Sequence, residues 1–301
     1  MNLQNLFLDD LGNIRAGWRV ALFLLILFAT ATIIFFIGAA VVSDLQFFAP
    51  LLILISLLIA TVVMVKMFEK RPIHSVGLPF HKRMPVELAQ GVIVGGAMMS
   101  LVFLTQYTGG YIELEWRGLA SVDIAGVIGT SLAIFVIAGF GEELFFRGYP
   151  FQTLVESIKA PAAVIIMSAA FSIAHMMNPN ITALGLFNIF LAGVWLSIAY
   201  LKTRTLWLPV GLHVSWNFFQ GTIFSYPVSG QMFADQSLFI SSVSGPALLT
   251  GGNFGPEGSV ITTLVLILGT LYIYKSKYFF IGEEVWTVDR YIREELERFT
   301  K

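Results

Sequence analysis

Eight stretches of nearly continuous apolar residues are separated by short polar connections along this chain. They cover residues 20–42, 47–67, 86–108, 124–146, 162–177, 181–201, 206–224 and 259–274. Most approach the ~20 residues that a helix needs to cross a bilayer core; the fifth is the shortest. The pattern predicts an all-α polytopic membrane protein, a bundle of about eight transmembrane helices. Residues 1–281 are expected to form one transmembrane domain, and 282–301 a cytoplasmic amphipathic tail. In that tail Val285, Val288, Ile292, Leu296 and Phe299 recur at helical spacing. The recurrence suits a helix lying on the membrane surface or a solvated helix packed on a loop. Residues 3–11 admit the same two readings.

Basic residues order the spans. Lys66, Lys70, Arg71, Lys82 and Arg83 lie between the second and third. Arg147 and Lys159 join the fourth to the fifth, and Lys202 and Arg204 the sixth to the seventh. The tail adds Lys275, Lys277, Arg290, Arg293, Arg298 and Lys301. The opposite connections hold only Arg117. Cytoplasmic loops carry the excess of Lys and Arg, so both termini are expected in the cytoplasm. The first apolar segment is too long for a signal-peptide core of about 7–15 residues and is expected to be a retained span. Residues 225–258, rich in Gly, Ser and Pro, read as an external loop of functional length. Gly91 and Gly95 form a GxxxG pair that lets two helices approach closely, here for internal packing.

Composition narrows the function. Charged residues are 12% of the chain, about half the usual soluble share, which fits lipid and not water as the solvent. A net charge of −1 leaves no electrostatic footprint for nucleic acid. With no cysteine there is no disulfide, thiolate metal site or cysteine nucleophile.

Against this apolar background, Glu142 and Glu143 stand near the end of the fourth span. A carboxylate at membrane depth is costly, by roughly 2.5–3.5 kcal/mol for Asp on insertion scales, and marks a polar site inside the bundle. Glu143 and Arg147 are four apart, a favourable spacing for an ion pair on a helix. Glu142 lies about 100° around the axis and faces elsewhere. Phe171 and His175 share a face of the fifth span, and His213 and Asn217 a face of the seventh. His74 and His81, in the basic connection, read as surface residues. Glu142 stands 17 residues before Lys159 and His175 stands 16 after it. A helical hairpin turning there would set both side chains about 25 Å from the turn. Gly148-Tyr149-Pro150 is the point at which that hairpin would kink or break.

A carboxylate in a low-dielectric site has a raised affinity for protons and can take one from water. A histidine can orient that water or bind a metal that activates it. A second histidine and an asparagine amide can donate to an oxyanion. These residue types suit hydrolysis of a peptide bond. There is no His-Glu-x-x-His zinc motif, no Gly-x-Ser-x-Gly elbow, and no aspartate deep in a span. A proton-relaying transporter would also use buried Glu and His, but paired halves with broken helices are not visible.

Glu-Glu-x-x-x-Arg, Phe-x-x-x-His and His-x-x-x-Asn, in this order, resemble the CAAX-protease and bacteriocin-processing (Abi) family of intramembrane endopeptidases, which includes the type II CAAX prenyl proteases. The motifs span residues 141–217, inside a core of 120–224. The resemblance implies catalytic roles for Glu142, His175, His213 and Asn217, with Glu143, Arg147 and Phe171 in support. Glu142 and His175 would act on the water or metal, and His213 and Asn217 on the oxyanion. The metal question stays open: Glu142, His175 and His213 are candidate ligands for zinc or another divalent ion, or hold a bare water. The expected partners are the membrane and a protein or peptide substrate, prenylated or not. The expected location is a prokaryotic cell membrane. A non-proteolytic scaffold or bacteriocin-immunity protein of the same fold is the alternative.

Overall fold

The computed structural model describes residues 4–8 and 14–288. Every one of the eight apolar stretches is helical. Helices α1 (Ala16–Val41), α2 (Leu45–Phe68) and α3 (Met84–Thr108) come first. The strand β1 (Ile112–Trp116) leads into α4 (Ser121–Arg147), α5 (Tyr149–Ile158), α6 (Ala160–Ala174) and α7 (Ala183–Thr203). Then follow α8 (Trp207–Phe218), the strand β2 (Phe239–Val243), α9 (Val260–Lys275) and α10 (Glu283–Val288). Among the described residues five helical segments are long and apolar enough to cross a membrane; α6 and α9 are shorter apolar helices. The outer faces carry large exposed apolar side chains such as Phe28, Phe36, Ile93, Val122 and Leu268. In water such a surface would aggregate; against lipid it is the expected exterior. The chain is an all-α polytopic membrane fold.

Helix α8 is the axis of the bundle. Every residue from Trp207 to Trp216 is buried. Its Val210 and Val214 pack into one apolar cluster with Phe23, Leu57, Phe146 and Phe171. Its Leu208, Leu212 and Trp216 pack into another with Met99, Val102, Trp195 and Leu266. A helix buried on all sides must be apolar all round, and this one is, except for the polar positions that build the site.

The fourth-to-fifth hairpin is interrupted. Helix α4 stops at Arg147 because Gly148 leaves helical geometry, with φ −77° and ψ −129°. Pro150 then opens α5, a position where its missing N–H costs nothing. The separate helix α5 places Glu156 against Arg71 and Arg19, while Tyr149 donates to Glu69. These contacts tie the ends of α1, α2 and α5 together. Lys159, at φ 71°, turns the chain into α6.

The 225–258 stretch holds more structure than a loop. Its strand β2 pairs antiparallel with β1, from Ile112 opposite Val243 to Trp116 opposite Phe239. Tyr226 is buried and donates to Gln106 on α3. His81 is also a correction: its side chain is only 2% exposed and its Nε2 lies 3.4 Å from the buried Glu87. The carbonyl of Pro79 accepts from Trp207, which helps fold this connection onto the bundle. Of the tail positions, Val285 is buried, while Ile292, Leu296 and Phe299 lie outside the described residues. Of residues 3–11, positions 3 and 9–11 lie outside them too, while Gln4–Phe7 form a single helical turn.

Candidate active site

Glycines bring the site's helices together. A Cβ on Gly91 of α3 would stand 2.5 Å from the Leu208 carbonyl and 2.8 Å from Gly211 Cα of α8. Gly95, one turn on, meets Ser215 and the Leu212 carbonyl in the same way. The GxxxG pair is therefore the seam between α3 and α8, with Gly211 as its counterpart. Gly139 does the same for α4, where a Cβ would meet Val214 at 3.1 Å. Close helix approach of this kind needs small residues on the facing surface. It sets His213 opposite Glu142 and Glu143.

Glu143 and Arg147 are both fully buried, with Arg147 Nη1 donating to Glu143 Oε1 at 3.0 Å. Arg147 Nη2 donates to the Gly193 carbonyl of α7 at 3.1 Å. Its guanidinium carbon lies 4.7 Å from the centre of the Phe171 ring, within cation–π range. The same Glu143 oxygen lies 2.8 Å from His213 Nδ1. A carboxylate only accepts, so Nδ1 carries the proton and the ring is locked with Nε2 facing Glu142. Three of the expected residues thus form one buried network that aims His213.

Glu142 points elsewhere, as its place on the helix requires. Its side chain is 36% exposed, into the site's cavity, and its Oε2 lies 3.7 Å from His213 Nε2. Oε2 is buried and has no protein hydrogen-bond partner among the described residues. His175 sits at the C-terminal end of α6, where its Nδ1 donates to the Phe171 carbonyl at 2.7 Å. That bond leaves Nε2 as the acceptor. The Phe171 ring stands between the two imidazoles, 4.7 Å from His175 and 6.1 Å from His213. Glu142, His175, His213 and Asn217 all line one cavity of about 690 Å³, otherwise mostly walled by apolar side chains including Phe135, Ile189 and Trp216. Asn217 follows His213 by one turn, before the helix widens into a π turn over Phe219–Ile223. All seven expected residues are brought together.

Among the described residues, no three His, Asp or Glu side chains converge closely enough to ligate one metal ion. His213 spends its Nδ1 on Glu143 and His175 its Nδ1 on a carbonyl, leaving one lone pair each. As arranged, the donor set does not fit a three-ligand centre.

One cavity residue was not legible as a site. Glu257 lies between α8 and α9 in sequence and reaches the same cavity. Its Oε2 accepts from the Gln220 amide at 3.1 Å and from the Ser229 N–H. Burial pushes its carboxyl above the ordinary glutamate value, against the pull of these donors and of His175.

Residues 124–219 match the family model described as Rce1-like, type II CAAX prenyl endopeptidase Rce1-like. The matched segment runs from α4 to the start of the π turn and contains all three motifs. No curated protein matches the chain.

Proposed function

With residues 124–219 matching the Rce1-like type II CAAX prenyl endopeptidases, we propose that this protein is an intramembrane endopeptidase that cleaves membrane-associated peptides by activated water. The observation that carries the reading is the pairing of Glu142 Oε2 and His213 Nε2 across 3.7 Å inside an apolar cavity. With its single proton on Nδ1, His213 presents Nε2 as an acceptor, as Glu142 presents Oε2. A water between them donates one hydrogen to each, and its lone pair is then free for a carbonyl carbon.

The charges support this division of labour. Glu142 and Glu143 face one guanidinium, that of Arg147, so the cluster is one proton short of neutral. Arg147 is bonded to Glu143, which leaves Glu142 as the carboxylate free to take a proton from the water. Attack forms the bond from water oxygen to carbonyl carbon as Glu142 takes the proton. The Asn217 amide has no other partner among the described residues and donates to the carbonyl oxygen as it becomes an oxyanion. The C–N bond then breaks, and the proton passes from Glu142 to the leaving amine. His175 lines the same cavity, across the Phe171 ring from His213. No step runs through a metal.

The cavity's apolar walls suit an apolar group next to the scissile bond, and the family name adds prenylated C-termini as the substrate class to try first. The basic residues of the connections favour cytoplasmic termini. A reporter fused after Lys301 should then be cytoplasmic and one inserted at Gly251 external; finding both on one side overturns that orientation. The activity itself is tested with purified protein in liposomes and matched prenylated and unprenylated membrane peptides. Cleavage of at least one, at a single bond, is expected. Binding without cleavage of any would favour the scaffold alternative.

A further inference from the structure

Glu257 is hydrogen-bonded only by neutral groups, and the one titratable base whose pull it feels is the His175 imidazole. Its bonds come from neutral donors, the Gln220 amide and the Ser229 N–H. Neither lysine nor arginine lines the cavity it faces. Arg147, the guanidinium of the site, is committed to Glu143 and the Gly193 carbonyl. Among the described residues, the ionisable side chains lining the cavity are therefore two carboxylates, Glu142 and Glu257, and two imidazoles, His175 and His213.

The placement of Glu257 is built. Asn188 of α7 donates to the carbonyls of both Glu257 and Ser259, at 2.7 and 2.8 Å, and accepts from Thr263 of α9 at 2.6 Å. Gly255, at φ 96°, makes the turn that precedes it, in a conformation that side chains other than glycine rarely adopt. Gln220 also donates to the Pro227 carbonyl, so one amide holds both the cavity's edge and its carboxylate. The side chain is thus held at a fixed point of a largely apolar cavity, with its second oxygen, Oε1, left out of these bonds.

We propose that Glu257 is a specificity residue that receives a cationic nitrogen of the substrate, the side chain of a lysine or arginine or a free amino group near the scissile bond. This rests on the endopeptidase reading for its setting but not for its test. An ammonium or guanidinium supplies what the cavity wall does not, and its charge-assisted hydrogen bond to a carboxylate is roughly twice as strong as one between neutral groups. Peptides that carry a neutral residue there leave the carboxylate without its counter-charge.

The test uses full-length protein in liposomes and membrane-anchored peptides identical except at one position. That position is walked along both sides of the scissile bond as lysine, norleucine or glutamate, each peptide with a free or acetylated N-terminus. Affinity is read by fluorescence anisotropy on wild type and on Glu142→Gln, and turnover on wild type. At one position lysine, or at the terminus the free amine, should bind at least about tenfold more tightly than its neutral match, a difference of about 1.4 kcal/mol. Glu257→Gln should bring the pair to within about twofold. If that variant does not fold, Glu257→Asp, which keeps the charge but withdraws it, should weaken the preference. Equal affinity for all peptides in wild type overturns the inference, as does a preference that survives these substitutions. Charge-selective binding without any cleavage would leave the cation site standing and defeat the endopeptidase reading. Cleavage without charge preference would do the reverse. A Glu257→Gln that slows all peptides equally, with affinities unchanged, would give Glu257 to the reaction and not to selection.

Discussion

Replacing Glu143 with glutamine should unfold this protein more readily than replacing its neighbour Glu142. Glu143 is fully buried and its Oε1 meets both Arg147 Nη1 and His213 Nδ1. Glutamine keeps an acceptor for one of these donors but removes the charge. Arg147 is then a fully buried cation left with the Gly193 carbonyl, the Phe171 face and the more distant charge of Glu142. Breaking a buried pair by removing one partner costs about 3–5 kcal/mol. At about 2–4 °C per kcal/mol for a larger domain, the melting temperature should fall by roughly 6–20 °C. The double variant Glu143→Gln/Arg147→Met removes the stranded charge as well. The Gly193 carbonyl still accepts from Ser197 at 2.7 Å, so little else is orphaned. The double variant should therefore be more stable than Glu143→Gln alone, by about 1–3 kcal/mol of coupling. Thermal unfolding in one detergent, for the wild type, both single variants and the double, measures the cycle. Strict additivity of the two single changes would refute the reasoning.

Three further outcomes are expected. Asn217→Ala should lower kcat by about 10²–10³ with little change in KM, as loss of an oxyanion donor does; a change confined to KM would make the amide a binding group. Gly91→Ala puts a Cβ 2.5 Å from the Leu208 carbonyl, so α8 must shift, and a stability loss of about 1–3 kcal/mol should accompany a loss of activity; an unaltered melting temperature contradicts the seam. Burial holds the His81 imidazole below its ordinary value, with Arg83 adding to the effect and Glu284 opposing it. The unfolded chain then binds the proton more readily, so the His81 contribution is present above about pH 6.5 and is lost as pH falls below it. Melting curves of wild type and His81→Asn between pH 8 and 5 should show the larger acid loss in wild type, and parallel curves would remove His81 from the account.

The spans and the polar residues were legible because each rests on local rules. Apolar runs of membrane length become helices wherever the backbone must satisfy itself, and a Glu–Arg spacing of four fixes which carboxylate is paired. The division between Glu142 and Glu143 follows from that geometry alone. Gly148 was visible as a weak point, but the sequence did not say that α5 would form a separate helix. Ile112-Glu113-Leu114-Glu115-Trp116 alternates as a strand does, a signal that short length hid within a connection. Glu257 had no local signal. Its place in the cavity depends on Asn188 and Gln220, which lie 69 and 37 residues away. His81 is buried by the fold of its connection onto α3 and α8, another long-range effect that residue type does not announce.

The central claim is that Glu142 is the base and Glu143 the support. Its most direct test is turnover of one cleaved membrane peptide by wild type, Glu142→Gln and Glu143→Gln, with melting temperature measured on the same preparations. Glu142→Gln keeps the side chain's shape, meets no ion-pair demand from Arg147 and removes the proton acceptor. It should melt close to wild type and lose about 10²–10⁴ of the rate. Glu143→Gln should lose stability, with activity falling in parallel. An active Glu142→Gln beside a fully stable, inactive Glu143→Gln would contradict the account and move the base by one residue.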